Sequence, residues 1–442
     1  MQTTERAQPA TGSVPRPRAS RRPGGRGGGG SAGLVVYALT LLVLVASGSA
    51  PSPLYPIYQE EWSLSPLALT VVFAVYVAGL LATLLTAGRL SDHVGRRPLV
   101  LAGLAVSVSA MLVFSVATGD LALVVARVLQ GLAIGLATGA LGAGMIDHQP
   151  ASRPALAAFL NGVTPPVALT VGALTSGLLV EFGPLPERLV FLVLAAAMVA
   201  CGVAVAFVPE RVPRASGALR SLVPTVTVPG EARRVFVAVV GCMIASWGLG
   251  GMFLAFAGTI LRTTFDVSSP ALTGAAIALF TGSGALTGLA IQRVDAARAL
   301  RVGVVALVVG PIGIVAALWT ASVPLFVVAA VVGGVGFGAG FQAALRLVLA
   351  EAPVDARAGV LSSVYVASYL AFGVPSVLAG VFVPVDGLDA VLSAYGAFVV
   401  LAAVVAAVLQ RVARRARLAE LRADAVDAEH RRRGAGAGAG QA

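Results

Sequence analysis

Gly88-Arg89-Leu90-Ser91-Asp92-His93-Val94-Gly95-Arg96-Arg97-Pro98 is a charged run between two apolar stretches, 67–87 and 98–117. Each flank is about 20 residues long, the length that carries an α-helix across the hydrocarbon of a bilayer. Within the run, Gly95 permits a tight turn with positive φ, and Pro98 suits the opening of the next helix. Arg96 and Arg97 hold the loop on the side of a membrane where basic residues collect. Asp92 is the residue that a plain anchoring loop would not require. Two spans joined by a short charged turn is the pattern, and it continues in both directions.

Apolar residues make up 57% of the 442, charged residues only 12%, and the mean hydropathy is +0.91. Soluble domains carry about 25% charged residues, so a water-soluble globule, a disordered chain and a disulfide scaffold are all excluded. The fold class expected is all-α integral membrane with 12 transmembrane helices in two six-helix halves. The first half has helices over 34–50, 67–87, 98–117, 121–146, 156–180 and 189–208. The second has them over 235–261, 270–291, 302–320, 323–347, 358–382 and 388–410. The corresponding domains are a disordered Arg/Gly-rich tail (1–33), the halves 34–208 and 235–410, a linker (209–234), and a basic, Gly/Ala-rich tail (411–442). Pro51-Ser52-Pro53 bounds the first span. Tyr55, Pro56, Tyr58 and Trp62 beyond it read as membrane-interface residues.

All 31 basic residues are Arg, and their placement gives an orientation. With the N-terminus inside, the inner segments hold 28 Arg, the outer segments hold Arg188 and Arg262, and Arg127 lies within a span. Both tails are then cytoplasmic. The net charge of +11 is therefore a topology signal, and with 6% aromatics no stacking platform for nucleic acid accompanies it. Cys201 and Cys242 read as small buried hydrophobes. His93, His148 and His430 have no metal-ligand spacing, so no metal and no cofactor are expected.

The chain also repeats itself. A shift of 203 residues lays Gly131 on Gly334, Gly135 on Gly338, Ala140 on Ala343, Pro150 on Pro353 and Gly177 on Gly380. Two like halves imply a pseudo-two-fold axis along the membrane normal, with a site between them.

Gly88, Leu90, Asp92, Gly95, Arg96 and Arg97 resemble the signature loop of the major facilitator superfamily, Gly-x-Leu-x-Asp-x-x-Gly-Arg-Arg/Lys. The likeness covers roughly 34–410 and implies a loop that braces the halves on the cytoplasmic side. It places Asp92 at the N-terminal end of the eleventh helix, near Ala358 and Gly359. It pairs Arg96 with an acid at the inner end of the fourth helix, where Asp147 is the only one. The loop of the second half, Gln292-Arg293-Val294-Asp295-Ala296-Ala297-Arg298, keeps charges without the glycine spacing.

Arg127-Val128-Leu129-Gln130-Gly131 is similar to the family's Arg-x-x-Gln-Gly. A charge at the bilayer centre costs about 2.5–3.5 kcal/mol on insertion scales, so Arg127 and Gln130 are candidates for coupling or substrate binding. The alternative is an Arg that snorkels, since the outer end of its helix is only about 9 Å away. The repeat places Ala330 at the equivalent position. The fifth helix has Asn161-Gly162-Val163-Thr164-Pro165-Pro166 and lacks the Gly-Pro step of the family's proton-coupled drug exporters.

No Asp or Glu falls in the middle of a span, which disfavours a permanently cationic substrate. Tyr37, Asn161, Trp247, Gln342, Tyr365 and Tyr369 are the polar or aromatic candidates for the cavity. The function expected is secondary active transport of a small molecule by alternating access, as proton-coupled efflux of a small apolar compound. Uptake or exchange of a sugar or other metabolite is the alternative, and a membrane sensor or receptor is the alternative of a different class. The partners expected are the small-molecule substrate, protons as coupling ion and the lipid bilayer of a bacterial inner membrane. The chain is expected to act as a monomer and not as an enzyme.

Overall fold

The structure is a computed structural model that describes residues 29–212, 215–224, 226–353 and 356–439, with backbone alone for 29–30 and 416–439. The expectation for residues 1–28 lies outside the described residues. Twelve helices are long and apolar enough to cross a membrane. In the first half they are α1 (Gly29–Ser49), α2 (Pro66–Ala87), α3 (Arg96–Ser115), α4 (Asp120–His148), α5 (Leu156–Phe182) and α6 (Leu189–Ala206). In the second half they are α7 (Gly230–Phe265), α8 (Pro270–Ala290), α9 (Ala296–Trp319), α10 (Val323–Glu351), α11 (Arg357–Asp386) and α12 (Leu388–Ala439).

Local chemistry sets many of these ends. Ser65, Ser269 and Ser322 each cap a helix by accepting an N–H three residues on, with proline in the first turn where its missing N–H costs nothing. Asp295 caps α9 in the same way. Gly95 turns between the Ser91–Val94 helical turn and α3 at φ 103°, a conformation that favours glycine.

Several expectations are corrected. Helix α1 begins at Gly29, inside the stretch read as a disordered tail, and α9 begins at Ala296, six residues before the expected start. Helix α7 is longer at both ends, and α12 continues to Ala439 through the stretch read as a tail, whose Ala, Leu, Arg and Glu are strong helix formers. The last concerns the first span. Pro51 does end α1, but after one tight turn the chain resumes as the helix Tyr55–Glu61 and stays in the bundle. Tyr55 is 2% exposed and Tyr58 1%, so both are packed inside the protein and do not present their rings outward to lipid headgroups. Tyr58 stacks on Trp62 at 4.4 Å between ring centroids.

The sequence repeat appears as a repeat of helix crossings. A Cβ on Gly131 of α4 would come within 2.2 Å of the Tyr76 carbonyl oxygen of α2. A Cβ on Gly334 of α10 would come within 2.1 Å of the Phe280 carbonyl oxygen of α8. Gly177 of α5 touches the start of α8, and Gly380 of α11 touches Thr70 of α2. Helix α4 therefore crosses α2 as α10 crosses α8. Helices α5 and α11 then bridge the halves, α5 onto α8 and α11 onto α2.

The bundle has two ends. At one, called here the loop face, lie the Gly88–Pro98 turn, the start of α1 and the linker. Glu210 of the linker accepts from the Arg97 N–H at 2.8 Å, and the His148 ring faces the Pro209 carbonyl at 3.2 Å. The far face carries the Tyr55–Glu61 helix and the starts of α2 and α8.

Candidate functional site

At the loop face the charges of the Gly88–Pro98 turn pair within one half. Arg96 donates from Nε to Asp147 at 3.1 Å and from its terminal nitrogen to Asp92 and to Ser91, the latter at 2.6 Å. The Arg96–Asp147 pair implied by the resemblance is thus formed. The contact of Asp92 with α11 is not described in this conformation. The Asp92 side chain is 57% exposed, and the Gly359 backbone instead meets Thr227 of the linker.

Deeper in the first half, Arg127 has 0% exposure, which excludes snorkelling. One terminal nitrogen donates to the Gly48 carbonyl at 3.1 Å and to Gln130 Oε1 at 2.7 Å. The other donates to the Tyr55 hydroxyl. Gln130 in turn donates to the Ser47 carbonyl at 2.7 Å. Ser47 and Gly48 are in the last turn of α1, where unpaired carbonyls make the negative end of the helix dipole. The guanidinium therefore has a helix C-terminus as its counter-charge, in place of a carboxylate. The rings of Tyr76, Tyr55 and Phe114 lie 5.2, 5.5 and 5.9 Å from it, adding cation–π attraction. Arg127 Nε alone has no partner. Arg127 and Gln130 clamp the point at which α1 breaks.

Of the cavity candidates, the structure brings three together. Trp247 of α7 packs against Tyr369 at 4.9 Å, and Tyr369 lies 6.2 Å from Tyr365. Phe341, Phe372 and Phe337 complete the group at 5.4, 5.7 and 6.1 Å from Trp247. Phe73 of the first half meets Phe372 at 4.9 Å, so the cluster sits where the halves join. Trp247 Nε1 is buried with no acceptor. The other three candidates are elsewhere. Tyr37 is buried against His148 and Gly144 near the loop face. Asn161 donates to the Gly142 carbonyl at 3.2 Å, joining α5 to α4. Gln342 fills the contact with Gly288 of α8.

The far face is closed by bonds between the halves. Arg262 of α7 pairs with Glu60 and donates to the Pro56 carbonyl at 2.9 Å. Thr259 donates to Gln59 at 3.2 Å. Glu181 of α5 accepts from the Ser269 hydroxyl and from the Ala271 N–H of α8. At mid-depth the Thr170 and Thr281 hydroxyls meet at 2.9 Å. Sequence reasoning missed Tyr55, Tyr76, Glu181 and the three phenylalanines. For Tyr55 a signal existed, since a buried Arg needs acceptors and Tyr55 follows the break in α1 directly.

Comparison with known proteins gives a consistent family. Residues 37–374 match the sequence profile of the Major Facilitator Superfamily. The multidrug resistance protein MdtL of Klebsiella pneumoniae is 31% identical over 110 residues, 25% of this chain and 28% of that protein. MdtL of Vibrio parahaemolyticus is 31% identical over 123 residues, 27% of this chain and 31% of that protein. The match thus spans less than a third of these relatives. Among solved structures, the peptide transporter POT has a TM-score of 0.70 at 15% identity, covering 86% of this chain and 95% of that one. A bacterial homologue of the human lysosomal transporter Spinster has a TM-score of 0.68 at 16% identity, covering 88% and 98%. The nucleoside transporter NupG gives 0.66 at 13%, covering 86% and 99%. At these identities the likeness concerns the fold.

Proposed function

The chain belongs to the major facilitator superfamily as a transporter and not an enzyme, and from that premise we propose that it exports a small apolar, ring-bearing compound in exchange for protons. The loop face is cytoplasmic in this reading, as the distribution of Arg along the chain requires. The membrane is a bacterial inner membrane. The partial likeness to multidrug resistance proteins supports the outward direction.

One observation carries the substrate class: the ring cluster around Trp247, with its buried, unpartnered indole N–H. Each aromatic pairing with a substrate ring contributes about 0.5–1.5 kcal/mol beyond the area it buries. A buried donor without an acceptor costs about 1–3 kcal/mol, which a carbonyl or ether oxygen on the substrate would recover. No carboxylate stands in the described contacts of the cluster to hold a cation. With the far face bonded shut, the substrate enters from the loop face. It leaves when the halves rock and the far-face bonds give way.

Uptake of a compound panel into inverted vesicles, with and without an imposed pH gradient, tests this. Trp247→Ala is expected to lose transport of the whole panel. Trp247→Phe keeps a ring and is expected to lose about tenfold on acceptor-bearing compounds only. Unaltered transport by Trp247→Ala would remove the cluster as the site. Transport indifferent to the pH gradient would remove proton coupling.

A further inference from the structure

We infer that Glu181 is a gate residue: a carboxylate on one half that caps the first turn of a helix on the other, holding the far face closed. The donors at the start of α8 can be accounted for one by one. Pro270 has no N–H. The Leu272 N–H goes to Ser269 Oγ at 3.1 Å, and the Thr273 N–H goes to the Ser269 carbonyl at 3.0 Å. The Ala271 N–H remains, and it goes to Glu181 Oε2 at 2.8 Å. The same oxygen accepts from the Ser269 hydroxyl. One of the orphan donors of α8 is therefore satisfied only while the halves are together.

The approach is prepared by the face of α5 below it. Ala173, Gly177 and Glu181 are spaced by four residues and so share one side of the helix. A Cβ on Gly274 would come within 2.4 Å of the Ala173 carbonyl oxygen, and one on Gly177 within 2.4 Å of the Pro270 carbonyl oxygen. The two backbones touch at these glycines, which brings the carboxylate one turn further along to the N-terminus of α8. A negative charge there also meets the positive end of the helix dipole.

The device mirrors the one that the signature loop implies for Asp92. There an acid just past the C-terminal end of α2 meets the start of α11 at the loop face. Here an acid in the last turn of α5 meets the start of α8 at the far face. Within a half, α2 and α5 occupy corresponding places in the two inverted three-helix repeats of such transporters. Alternating access then has a carboxylate–helix latch at each end, and this structure has the far one fastened. Glu181 acts by positioning the halves and has no contact with the ring cluster.

The test follows the sidedness of opening. A reporter is placed with Thr70→Cys, in a protein whose Cys201 and Cys242 are replaced by Ala. Thr70 is fully buried against Gly380 between α2 and α11, remote from Glu181 and toward the same face. Labelling by a membrane-impermeant maleimide is measured in right-side-out and in inverted vesicles. Adding Glu181→Gln is expected to raise labelling from the far face by about two- to thirty-fold, at unchanged membrane abundance and with no rise from the loop face. Ser269→Ala, which leaves the Ala271 contact, is expected to raise it less. Unchanged far-face labelling in Glu181→Gln would overturn the inference. An equal rise from both faces would overturn it too, since that indicates loosened packing and no gate. The readout is independent of the substrate, so it stands apart from the export reading.

Discussion

The two ends of the bundle use the same kinds of residue to different effect. At the loop face, Arg96 gathers Asp92, Ser91 and Asp147, all from its own half, and the linker fills in beneath. At the far face, Arg262, Glu60, Glu181 and Ser269 pair across the halves. Charges bonded within a half move with it and resist nothing. Charges bonded between halves must part before that face opens. Among the described residues, the signature-loop charges bond within a half and the far-face charges bond across the halves, which separates residues that shape a half from residues that choose a state.

The largest expected effect lies between the two ends. Arg127→Ala removes a buried cation and leaves the Gly48 carbonyl, the Tyr55 hydroxyl and Gln130 short of a donor. Each buried polar group left without its partner costs about 1–3 kcal/mol. The break between α1 and the Tyr55–Glu61 helix should then lose its fixed angle, and with it the seat of Glu60 at the far face. Transport is expected to vanish while protein still reaches the membrane. Arg127→Lys is expected to rescue poorly, because one ammonium cannot reproduce a planar fork of donors. Transport by Arg127→Ala near the unmutated rate would mean that the far face does not depend on this clamp.

A smaller effect, opposite in sign to that of Glu181→Gln, is expected at the loop face. Asp92 is largely exposed and bonded within its own half here, so Asp92→Asn should leave this conformation intact. Its cost falls on the alternative state, in which the loop would brace against α11. A charge at a helix end contributes about 0.3–2 kcal/mol. The variant should therefore insert normally, transport more slowly and show a cysteine introduced in place of Tyr365 more open to reagents from the loop face. Unchanged transport together with unchanged labelling would leave Asp92 as part of an anchoring turn.

The same contrast explains what was legible in the sequence. Helix number and most helix ends follow from hydropathy and the charged breaks between apolar runs, and the Arg96–Asp147 pair was implied by the resemblance of the signature loop. The repeat was visible because its glycines mark backbone crossings, which tolerate no side chain. The far-face bonds had no such trace. Glu181 and Ala271 are 90 residues apart, and one acid at a helix end is common. Tyr55 was read as an interface residue because two prolines hid the return of the helix. The ring cluster draws on three helices, so only Trp247, Tyr365 and Tyr369 stood out, and the phenylalanines passed as ordinary core.

The smallest effect expected is a pH dependence at the far face that should leave gating alone. Glu187, in the turn between α5 and α6, has its carboxyl pushed above the usual range, first by burial and then by the neighbouring Glu61 carboxyl. A raised carboxyl is easier to bury neutral than charged, so its contribution is present at low pH and is lost as pH rises through the folded value. Glu187→Gln fixes the neutral form. Its thermal midpoint should exceed that of the unmutated protein at pH 8, and the difference should close toward pH 4. Because Glu61 and Glu187 belong to the same half, far-face labelling at Thr70→Cys should not change. A rise in that labelling would move this acid pair from the residues that shape a half to those that hold the halves together.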